Sequence, residues 1–319
     1  MKTTLSAVRR LAYVFGLACA GVAAVASAAQ QKVQLGVPPI GDYIAVYVAY
    51  DEGIYAKHGL DVTLHPIGIS SLTTAGLLSK SLDVAALSVP DTIQAVDSGI
   101  DLVTFAGLGV LAAETEGGTR VGVVAPPDSR IESAADYKGK TVGVPALGGL
   151  LHIMFQHYLG QNGVSYEDVT FIELAVPSHF DAIKSASVDA VVTVDPMLVR
   201  LVNTRAGKQV VSLNGTVPPK TLTSIIASTR DYAQQNPQVV EAMRKALDEA
   251  TELSITDHEK TRAAMVKYLK LPAPVAATID MPLTLETGIS VEQMNWWRDV
   301  MREQKLIDGR DDLSKTILP

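Results

Sequence analysis

The chain has 319 residues, of which 47% are hydrophobic and 19% are charged, and its formal net charge is −7. This length predicts about two domains, and this composition is typical of a folded chain with a large core. The acidic balance argues against a nucleic-acid reader, which usually shows a basic face. The single cysteine, Cys19, excludes an intramolecular disulfide framework and a cysteine-based zinc site.

Residues 1–28 predict a secretory signal peptide. Basic residues within the first ten positions precede an apolar run over residues 11–25, which ends in Ala26-Ser27-Ala28. A charged start, a short apolar core and a small-residue cleavage site are the three parts of such a leader. The core is also shorter than the roughly 20 residues of a membrane span. We therefore expect cleavage after Ala28 and a periplasmic mature protein. An uncleaved anchor and a lipid anchor on Cys19 are the alternatives.

Beyond the leader, predicted strands and helices alternate along the chain. The predicted strands cover residues 33–37, 61–66, 83–87, 101–107, 120–125, 141–144, 169–174, 188–194, 209–213 and 222–228. The predicted helices cover residues 43–50, 70–80, 90–96, 133–138, 149–159, 178–185, 196–204, 237–255, 259–269, 274–277 and 291–304. Such alternation is typical of parallel βαβ units, and it predicts an α/β fold.

Two short strings recur at nearly the same spacing. Leu35-Gly36-Val37-Pro38 returns 107 residues later as Val142-Gly143-Val144-Pro145, and Asp83-Val84-Ala85-Ala86 returns 106 residues later as Asp189-Ala190-Val191-Val192. The nearly equal spacing indicates two doubly wound βα lobes built on one plan. The helical tail brings no strand set of its own, so we expect it to return to the first lobe. The predicted domains are residues 29–119 plus 225–319 (lobe 1) and residues 120–224 (lobe 2), joined by a hinge of two chain crossings.

In open parallel sheets, ligands lie outside the carboxyl ends of the strands. Most of the predicted loops at these ends open a helix, where free N–H groups and the helix dipole attract anions. The candidate ligand contacts of this kind are Ser70, Ser71, Thr73, Ser88, Gly148 and Gly149. Plain helix capping is the competing interpretation for Ser70 and Ser71.

Four further residues have both a functional and a structural interpretation. His152 and His179 lie in or near the loops of lobe 2 and either contact the ligand or serve the fold. Tyr43 walls the cleft or packs in the core. Asp195 precedes a helix, where capping is preferred over an acid–base role, and Asp42 is a candidate cap of the first helix.

Motifs of catalysis are absent from the sequence. It contains no nucleophile elbow, no P-loop, no H-E-x-x-H zinc motif and no G-x-G-x-x-G dinucleotide motif. We therefore expect a protein that performs no chemistry and holds no cofactor and no metal.

Several strings resemble the periplasmic solute-binding proteins of the nitrate/sulfonate/taurine ABC importers. They are Tyr50–Val62 (YDEGIYAKHGLDV), Asp136–Val144 (DYKGKTVGV), Ser187–Ala190 followed by Asp195-Pro196, and Pro237–Val240 (PQVV). The resemblance implies a type II periplasmic-binding-protein fold that closes on one solute, with an ABC permease and ATPase as partners. It also implies ligand contacts from the loops around Tyr43, Ser70–Thr73, Ser88–Pro90, Gly148–His152 and Asp195. Pro90 thereby joins the candidates, and we expect a monomer.

Two other classes share this fold. Pyrimidine-precursor synthases resemble the family but are cytosolic and carry a cysteine-rich motif, whereas this chain has an export signal and no cysteine after Cys19. The effector domain of a transcription regulator would need a helix-turn-helix segment where the leader stands.

The ligand class is inferred from the loops at the strand ends. They contain no arginine or lysine and are notably apolar, so binding would depend on helix termini, hydroxyls and histidine. We favour a small organic anion with an apolar body, namely an alkyl or aryl sulfonate or an aromatic carboxylate. Nitrate, bicarbonate and a neutral pyrimidine-type solute are the alternatives.

Overall fold

The computed structural model describes residues 30–68, 70–111, 120–279, 281, 283–309 and 312–319, the side chains of Ser70 and Ser71 excepted. The predicted signal peptide therefore lies outside the described residues, as does most of the first predicted chain crossing. Within the described ranges, no helix combines the length and the hydrophobicity that a membrane crossing requires.

Two five-stranded sheets form the framework of the fold. The first sheet contains β1 (Gln31–Val37), β2 (Leu60–Pro66), β3 (Val84–Ser88), β4 (Leu102–Gly107) and, from far along the chain, β10 (Ser224–Thr229), in the order β2-β1-β3-β10-β4. The second sheet contains β5 (Val121–Ala125), β6 (Thr141–Val144), β7 (Thr170–Glu173), β8 (Ala190–Val194) and β9 (Lys208–Ser212), in the order β7-β6-β8-β5-β9.

The two sheets repeat one plan, as the recurring strings predict. Leu35 of β1 pairs with Val84 of β3, and Val142 of β6 pairs with Ala190 of β8, at the same spacing as the strings. In both sheets this parallel pair occupies the same place in the strand order. The expected class of two α/β lobes of periplasmic-binding-protein type is thereby confirmed.

Strand direction corrects one expectation, because neither sheet is wholly parallel. β10 runs antiparallel to β3 and β4, and β5 runs antiparallel to β8 and β9. The chain passes from β4 to β5 and from β9 to β10, and each of these passages leaves one sheet for the other. β4 and β9 each end at the carboxyl edge of their own sheet. The strand that follows begins at the carboxyl edge of the other sheet, and it therefore runs antiparallel to its neighbours there.

The helices flank the sheets and agree closely with the predicted spans. They are α1 (Ile44–Asp51), α2 (Ile54–Lys57), α3 (Ser70–Leu78), α4 (Val89–Asp97), α5 (Leu150–Gln161), α6 (His179–Lys184), α7 (Met197–Asn203), α8 (Arg230–Gln235), α9 (Pro237–Thr256), α10 (His258–Tyr268), α11 (Ala273–Ala276) and α12 (Val291–Glu303). Helices on both faces explain why β3 and β8 are buried along their whole length and read as apolar runs.

The helical tail packs back onto the first sheet. Val240, Met243 and Leu247 repeat at helical spacing and lie on the buried face of α9, which packs against α1 and β4. At the end of the chain, the Leu318 N–H donates to the carbonyl of Thr104 in β4. The tail therefore completes the half of the molecule that contains the first sheet.

Helix α12 covers the second passage between the sheets. Trp297 is fully buried, and its indole N–H donates to the carbonyl of Leu222, 2.7 Å away. Leu222 lies just before β10, so this bond fixes the backbone where the chain returns to the first sheet. Ser290 begins α12 with a capping box that it shares with Gln293.

Candidate functional site

A cavity of about 100 Å³, counted as space open to the centres of water-sized molecules, lies where the carboxyl edges of the two sheets face each other. Since one water takes about 10–15 Å³ on this measure, the space suits a small solute. Its lining comes from both sheets: Pro38, Ile40, Asp42, Tyr43, Gly68, Ser88, Asp91 and Thr223 from the first, and Val121, Pro145, Ala146, Gly149, Leu150, Leu151, Val176 and Val194 from the second.

The topology explains this lining. The segments after β1 and β2, the end of β3, and the segments after β6 and β7 all lie at carboxyl edges, the place where open α/β sheets bind ligands. Val121 and Thr223 join them because β5 and β10 are antiparallel and begin at the same edges. If β5 and β10 were parallel to their neighbours, Val121 and Thr223 would lie at the opposite edges of the sheets. The antiparallel direction of these strands therefore adds both residues to the wall.

Tyr43, Ser88 and Gly149 are the predicted site residues that line the cavity. Ser88 also caps α4, where its hydroxyl oxygen accepts the N–H of Asp91 at 3.1 Å. Gly149 stands just before α5. Tyr43 is 5% exposed, and burial raises the pKa of its hydroxyl, with Asp42 and Asp91 adding to the rise. Both readings of Tyr43 therefore hold, because it is a buried residue that also forms part of the wall.

Gly148 and His152 lie beside the lining rather than in it. Gly148 has a left-handed backbone (φ 73°), its N–H donates to His152 Nδ1 at 2.8 Å, and its carbonyl accepts from Gln94 Nε2 at 2.8 Å. Nε2 of His152 lies 3.0 Å from the Gln156 amide. Burial lowers the pKa of His152 to about 4, so the ring is neutral near pH 7. Its nitrogens serve the local structure.

His179 and Asp195 also lie outside the lining, each with local partners. His179 has no exposed surface, and its Nε2 donates to the Leu174 carbonyl at 2.8 Å. Asp195 accepts from Arg120 Nε at 2.9 Å and from the N–H of Val199 at 3.2 Å. Capping and an ion pair therefore account for Asp195, as the preferred interpretation expects. Burial raises the pKa of this carboxyl, although Arg120 opposes the rise.

The remaining predicted residues belong to α3 and α4. Thr73 has no exposed surface, and Pro90 lies buried in the first turn of α4; neither is in the lining. Ser70 and Ser71 begin α3, which agrees with their helix-start interpretation, while their side chains lie outside the described part of the chain.

Asp42 and Asp91 are lining residues that the sequence does not single out as contacts. Asp42 lies in a short 3-10 turn (Gly41–Tyr43) rather than capping α1, and its Oδ2 accepts from the Thr223 hydroxyl at 2.7 Å. Asp91 lies in the first turn of α4. Both residues stand in loops that are predicted to hold the site. This loop position is the signal in the sequence that could have identified them as lining residues. Their local sequence points equally to helix capping.

The rest of the lining is mainly apolar. Ile40, Leu150, Leu151, Val176 and Val194 provide hydrocarbon surface, with prolines between them. No lysine, arginine or histidine of the described residues lines the cavity. Within the same residues, no group of three or more His, Cys, Asp or Glu side chains is arranged to hold a metal ion.

The sequence profile of the family described as NMT1/THI5 like matches residues 41–261, about two thirds of the chain. The chain belongs to the NMT1/THI5-like family. The match covers cavity-lining segments of both sheets, from Asp42 to Thr223. The expected kinship with solute-binding proteins is confirmed by the relatives described next.

Relatives of this NMT1/THI5-like chain are named as binding proteins. A Brucella abortus (strain 2308) protein with the name "Putative binding protein" is 26% identical over 276 residues, which cover 82% of this chain and 79% of the relative. The alkanesulfonate-binding protein of Xanthomonas axonopodis pv. citri, solved with MOPS, has a TM-score of 0.78 at 18% identity, with 91% of this chain and 99% of that chain covered. The periplasmic nitrate-binding protein of Synechocystis PCC 6803 has a TM-score of 0.74 at 16% identity, with 90% and 86% covered. These structures show that the NMT1/THI5-like chain has their fold.

Proposed function

We propose that this chain is the extracytoplasmic solute-binding component of an ABC importer and that it captures a small organic solute in the cavity between the two sheets. The observation that carries the proposal is the lining itself, to which the carboxyl edges of both sheets contribute. A solute in this place is enclosed from two sides, as small-molecule sites generally are. The binding roles in the names of the relatives support the same conclusion.

Capture is coupled to closure of the two lobes. We assign residues 29–119 plus 225–319 to lobe 1 and residues 120–224 to lobe 2, with the passages before β5 and before β10 as the hinge. Each lobe presents half of the wall, so a solute gains its full set of contacts only when the lobes approach, as in hinge closure generally. Two bonds already bridge the halves, from Gln94 Nε2 to the Gly148 carbonyl and from Gln304 Nε2 to the Ile153 carbonyl, at 2.8 and 2.9 Å.

The role is binding without chemistry, in the periplasm, as a monomer that delivers its solute to a permease and its ATPase. Ser88 is the only serine among the described residues that line the cavity, and its hydroxyl caps α4. The general bases His152 and His179 lie outside the lining and are bound to local partners. This arrangement lacks the nucleophile–base pair of an acyl-transfer site. A pyrimidine-precursor synthase-like activity is the weaker alternative, because the chain has no cysteine after Cys19 to form the cysteine-rich motif of those enzymes.

An organic sulfonate is the candidate ligand that the comparisons favour, because a structural neighbour is named as an alkanesulfonate-binding protein. It is the class expected from the apolar, hydroxyl-containing loops, together with aromatic carboxylates. The apolar wall around Leu150 and Val176 suits the body of such a solute.

A thermal-shift screen of the mature chain tests the proposed function. The screen includes sulfonates, aromatic acids, nitrate, pyrimidines and small amines. A bound solute at 100 times its Kd adds about 2.7 kcal/mol to the free energy of unfolding, which is readily measured. We expect at least one class to stabilise the protein and to be recovered unchanged after long incubation. Steady conversion of a bound solute, or no stabilisation by any class, would contradict the proposal.

A further inference from the structure

We propose that His152 is a positioning residue of the cavity. Its neutral ring holds Gly148 where the Gly148 carbonyl accepts the Gln94 amide across the two halves, and a proton on the ring releases this bond. The inference rests on the proposed function, because it assigns how closure around the solute is held and reversed. It is supported by the geometry of the bridge, by the hydrogen-bonding role of each ring nitrogen and by the surroundings of the ring.

The bridge between Gln94 and Gly148 lies at the edge of the cavity. Gln94 Nε2 donates to the Gly148 carbonyl at 2.8 Å. Asp91 stands one turn before Gln94 on α4, Gly149 follows Gly148 directly, and both of these neighbours line the cavity. A shift of Gly148 therefore changes the bridge and the wall together.

Gly148 combines a left-handed backbone with a close approach of the other half. Its φ of 73° is a conformation that glycine adopts at little cost, and a Cβ built on it would lie only 3.2 Å from Gln94 Nε2. The Gly149 N–H donates to the Ala146 carbonyl at 3.1 Å, so residues 146–149 form a tight turn. The bridge therefore requires this turn to be held within narrow limits.

The role of each ring nitrogen of His152 follows from its neighbours. The Gly148 N–H donates to Nδ1 at 2.8 Å, so Nδ1 carries no proton. The single proton of the neutral ring is then on Nε2, which lies 3.0 Å from the Gln156 side-chain amide, and the amide oxygen is the group that can accept it. A second proton would go to Nδ1, where it would set two N–H groups against each other and break the bond to Gly148.

The ring of His152 is buried in apolar surroundings. Its residue is 6% exposed, and Phe171 of β7 packs edge-on against it with the ring centroids 4.4 Å apart. Burial lowers the pKa of His152 to about 4, because a charged imidazole is poorly solvated there. The neutral ring is therefore the form that fits the closed arrangement.

Charged groups around α5 do not bond to this ring. The elements that pack against α5 carry Asp91 and Asp97 (α4), Glu167 and Asp168 (the 3-10 turn Tyr166–Asp168), Glu173 (β7), and Glu292, Arg298, Asp299, Arg302 and Glu303 (α12), whereas β8 carries none. Glu173 Oε2 faces the Leu147 N–H at 3.5 Å. The ring nitrogens are bonded to Gly148 and Gln156, which are neutral. A proton on the ring thus has no bonded carboxylate to stabilise it.

Protonation of His152 favours the open arrangement of the halves. Once the bridge opens and Gly148 is free to move, water reaches the ring and its pKa rises toward the ordinary value of about 6.5. The open form then takes up the proton more readily than the closed form. The closed arrangement is therefore fully favoured above about pH 6.5 and is weakened as the pH falls toward about 4.

The experiment measures the distance between the halves by double electron–electron resonance in the mature chain without solute. Residues 29–319 contain no cysteine, so nitroxide labels can be attached at two exposed positions, through Ser79→Cys after α3 and Lys184→Cys on α6. This readout requires no knowledge of the solute.

Four variants of the labelled chain separate the role of His152 from general effects. His152→Ala removes the acceptor, whereas His152→Asn keeps an acceptor oxygen close to the place of Nδ1 but does not titrate. Gln94→Ala removes the donor of the bridge. His258→Asn, on α10, is the control that removes a histidine elsewhere.

At pH 7.5 we expect the parent, His152→Asn and His258→Asn to share one distance distribution. His152→Ala and Gln94→Ala should raise the ratio of open to closed molecules about two- to tenfold, the effect of one lost hydrogen bond. Between pH 7.5 and pH 5 this ratio should rise about threefold or more in the parent and in His258→Asn. It should stay constant in His152→Asn, which has no proton to gain, and in Gln94→Ala, which has no bridge to lose.

Three results would overturn the assignment. They are equal ratios in the parent and in His152→Ala at pH 7.5, an open distribution for His152→Asn at pH 7.5, and a pH response that His152→Asn retains in full. Identical distributions in every variant at both pH values include the first of these. Each result leaves the thermal-shift screen unaffected, so failure of this inference is distinct from failure of the proposed function.

Discussion

Gln94 and Gly148 join the two halves of the molecule, because the Gln94 side-chain amide donates to the Gly148 carbonyl at 2.8 Å. Gln94 lies on α4 of the first sheet, and Gly148 lies in the loop between β6 and α5 of the second. The left-handed backbone of Gly148, a conformation that glycine adopts at little cost, turns this peptide. His152 holds the same residue from the other side through the Gly148 N–H.

The first prediction concerns this bridge. Gln94→Ala removes the donor of this bond between the halves and should weaken solute binding by about 0.5–1.5 kcal/mol, or roughly two- to tenfold in Kd. Isothermal titration with a stabilising solute from the screen measures the change. Gln238→Ala, at an exposed position of α9, is the matched control and should bind as the parent does. Equal affinity in Gln94→Ala and the parent would show that the bridge does not contribute to binding.

The second prediction concerns acid sensitivity. Burial lowers the pKa of both His152 and His179 to about 4, below the ordinary histidine value of 6.5, so each histidine takes up a proton more readily in the unfolded chain. Their contribution to stability is complete above about pH 6.5 and is lost progressively as the pH falls toward about 4, by up to about 1.36 kcal/mol per pH unit for each group. Urea unfolding at several pH values measures the slope.

Two variants measure how much each histidine contributes to the pH dependence of the unfolding free energy. His152→Gln and His179→Gln should each flatten the dependence of unfolding free energy on pH between about 6.5 and 4, whatever they cost at neutral pH. The comparison with the parent removes the contribution of carboxyl groups such as Asp195, whose pKa is raised by burial. A slope identical to that of the parent in both variants would show that neither histidine is buried in its neutral form.

The third prediction concerns the bond between Trp297 and Leu222. Trp297→Phe removes the indole N–H and leaves the buried Leu222 carbonyl without its donor, which should cost about 1–3 kcal/mol of unfolding free energy. Trp296→Phe is the matched control, because Trp296 is half-buried and meets His157 edge-on at the surface of α12. Chemical unfolding should show the larger loss for Trp297→Phe. Equal losses would mean that packing, rather than this hydrogen bond, accounts for the effect.

Much of the fold could be predicted from the sequence because its periodic signals are local. The apolar runs of β3 and β8, the capping residues before α4 and α12, and the strings at β1 and β6 all act within a few residues. The direction of β5 and β10 could not be predicted in this way. It depends on the edge at which the chain crosses between the sheets, which is a property of the whole topology.

The site could be predicted to the level of its loops. Ser88 and Gly149 follow from helix starts at strand ends, and they line the cavity. His152 and His179 are candidates because of their chemistry, whereas their positions depend on which backbone groups approach the ring nitrogens in three dimensions. Asp42 stands in one of those loops, but its sequence neighbours suggest a cap. Only the packing shows that Thr223, far along the chain, meets its carboxylate.

Gly68 provides the most direct test of the central claim that a solute occupies the cavity between the sheets. It lines the cavity, and a Cβ built on it meets no atom within 4 Å, so Gly68→Trp should fill the space without disturbing the fold. Gly160 on α5 has equally open surroundings and lies outside the lining, which makes Gly160→Trp the control.

The measurement is mass spectrometry of small molecules retained by the mature chain from a metabolite mixture after rapid gel filtration. We predict that the parent and Gly160→Trp retain the same unmodified solute, whereas Gly68→Trp loses it. Retention of that solute by Gly68→Trp at the level of the parent would contradict the claim that the solute occupies this cavity.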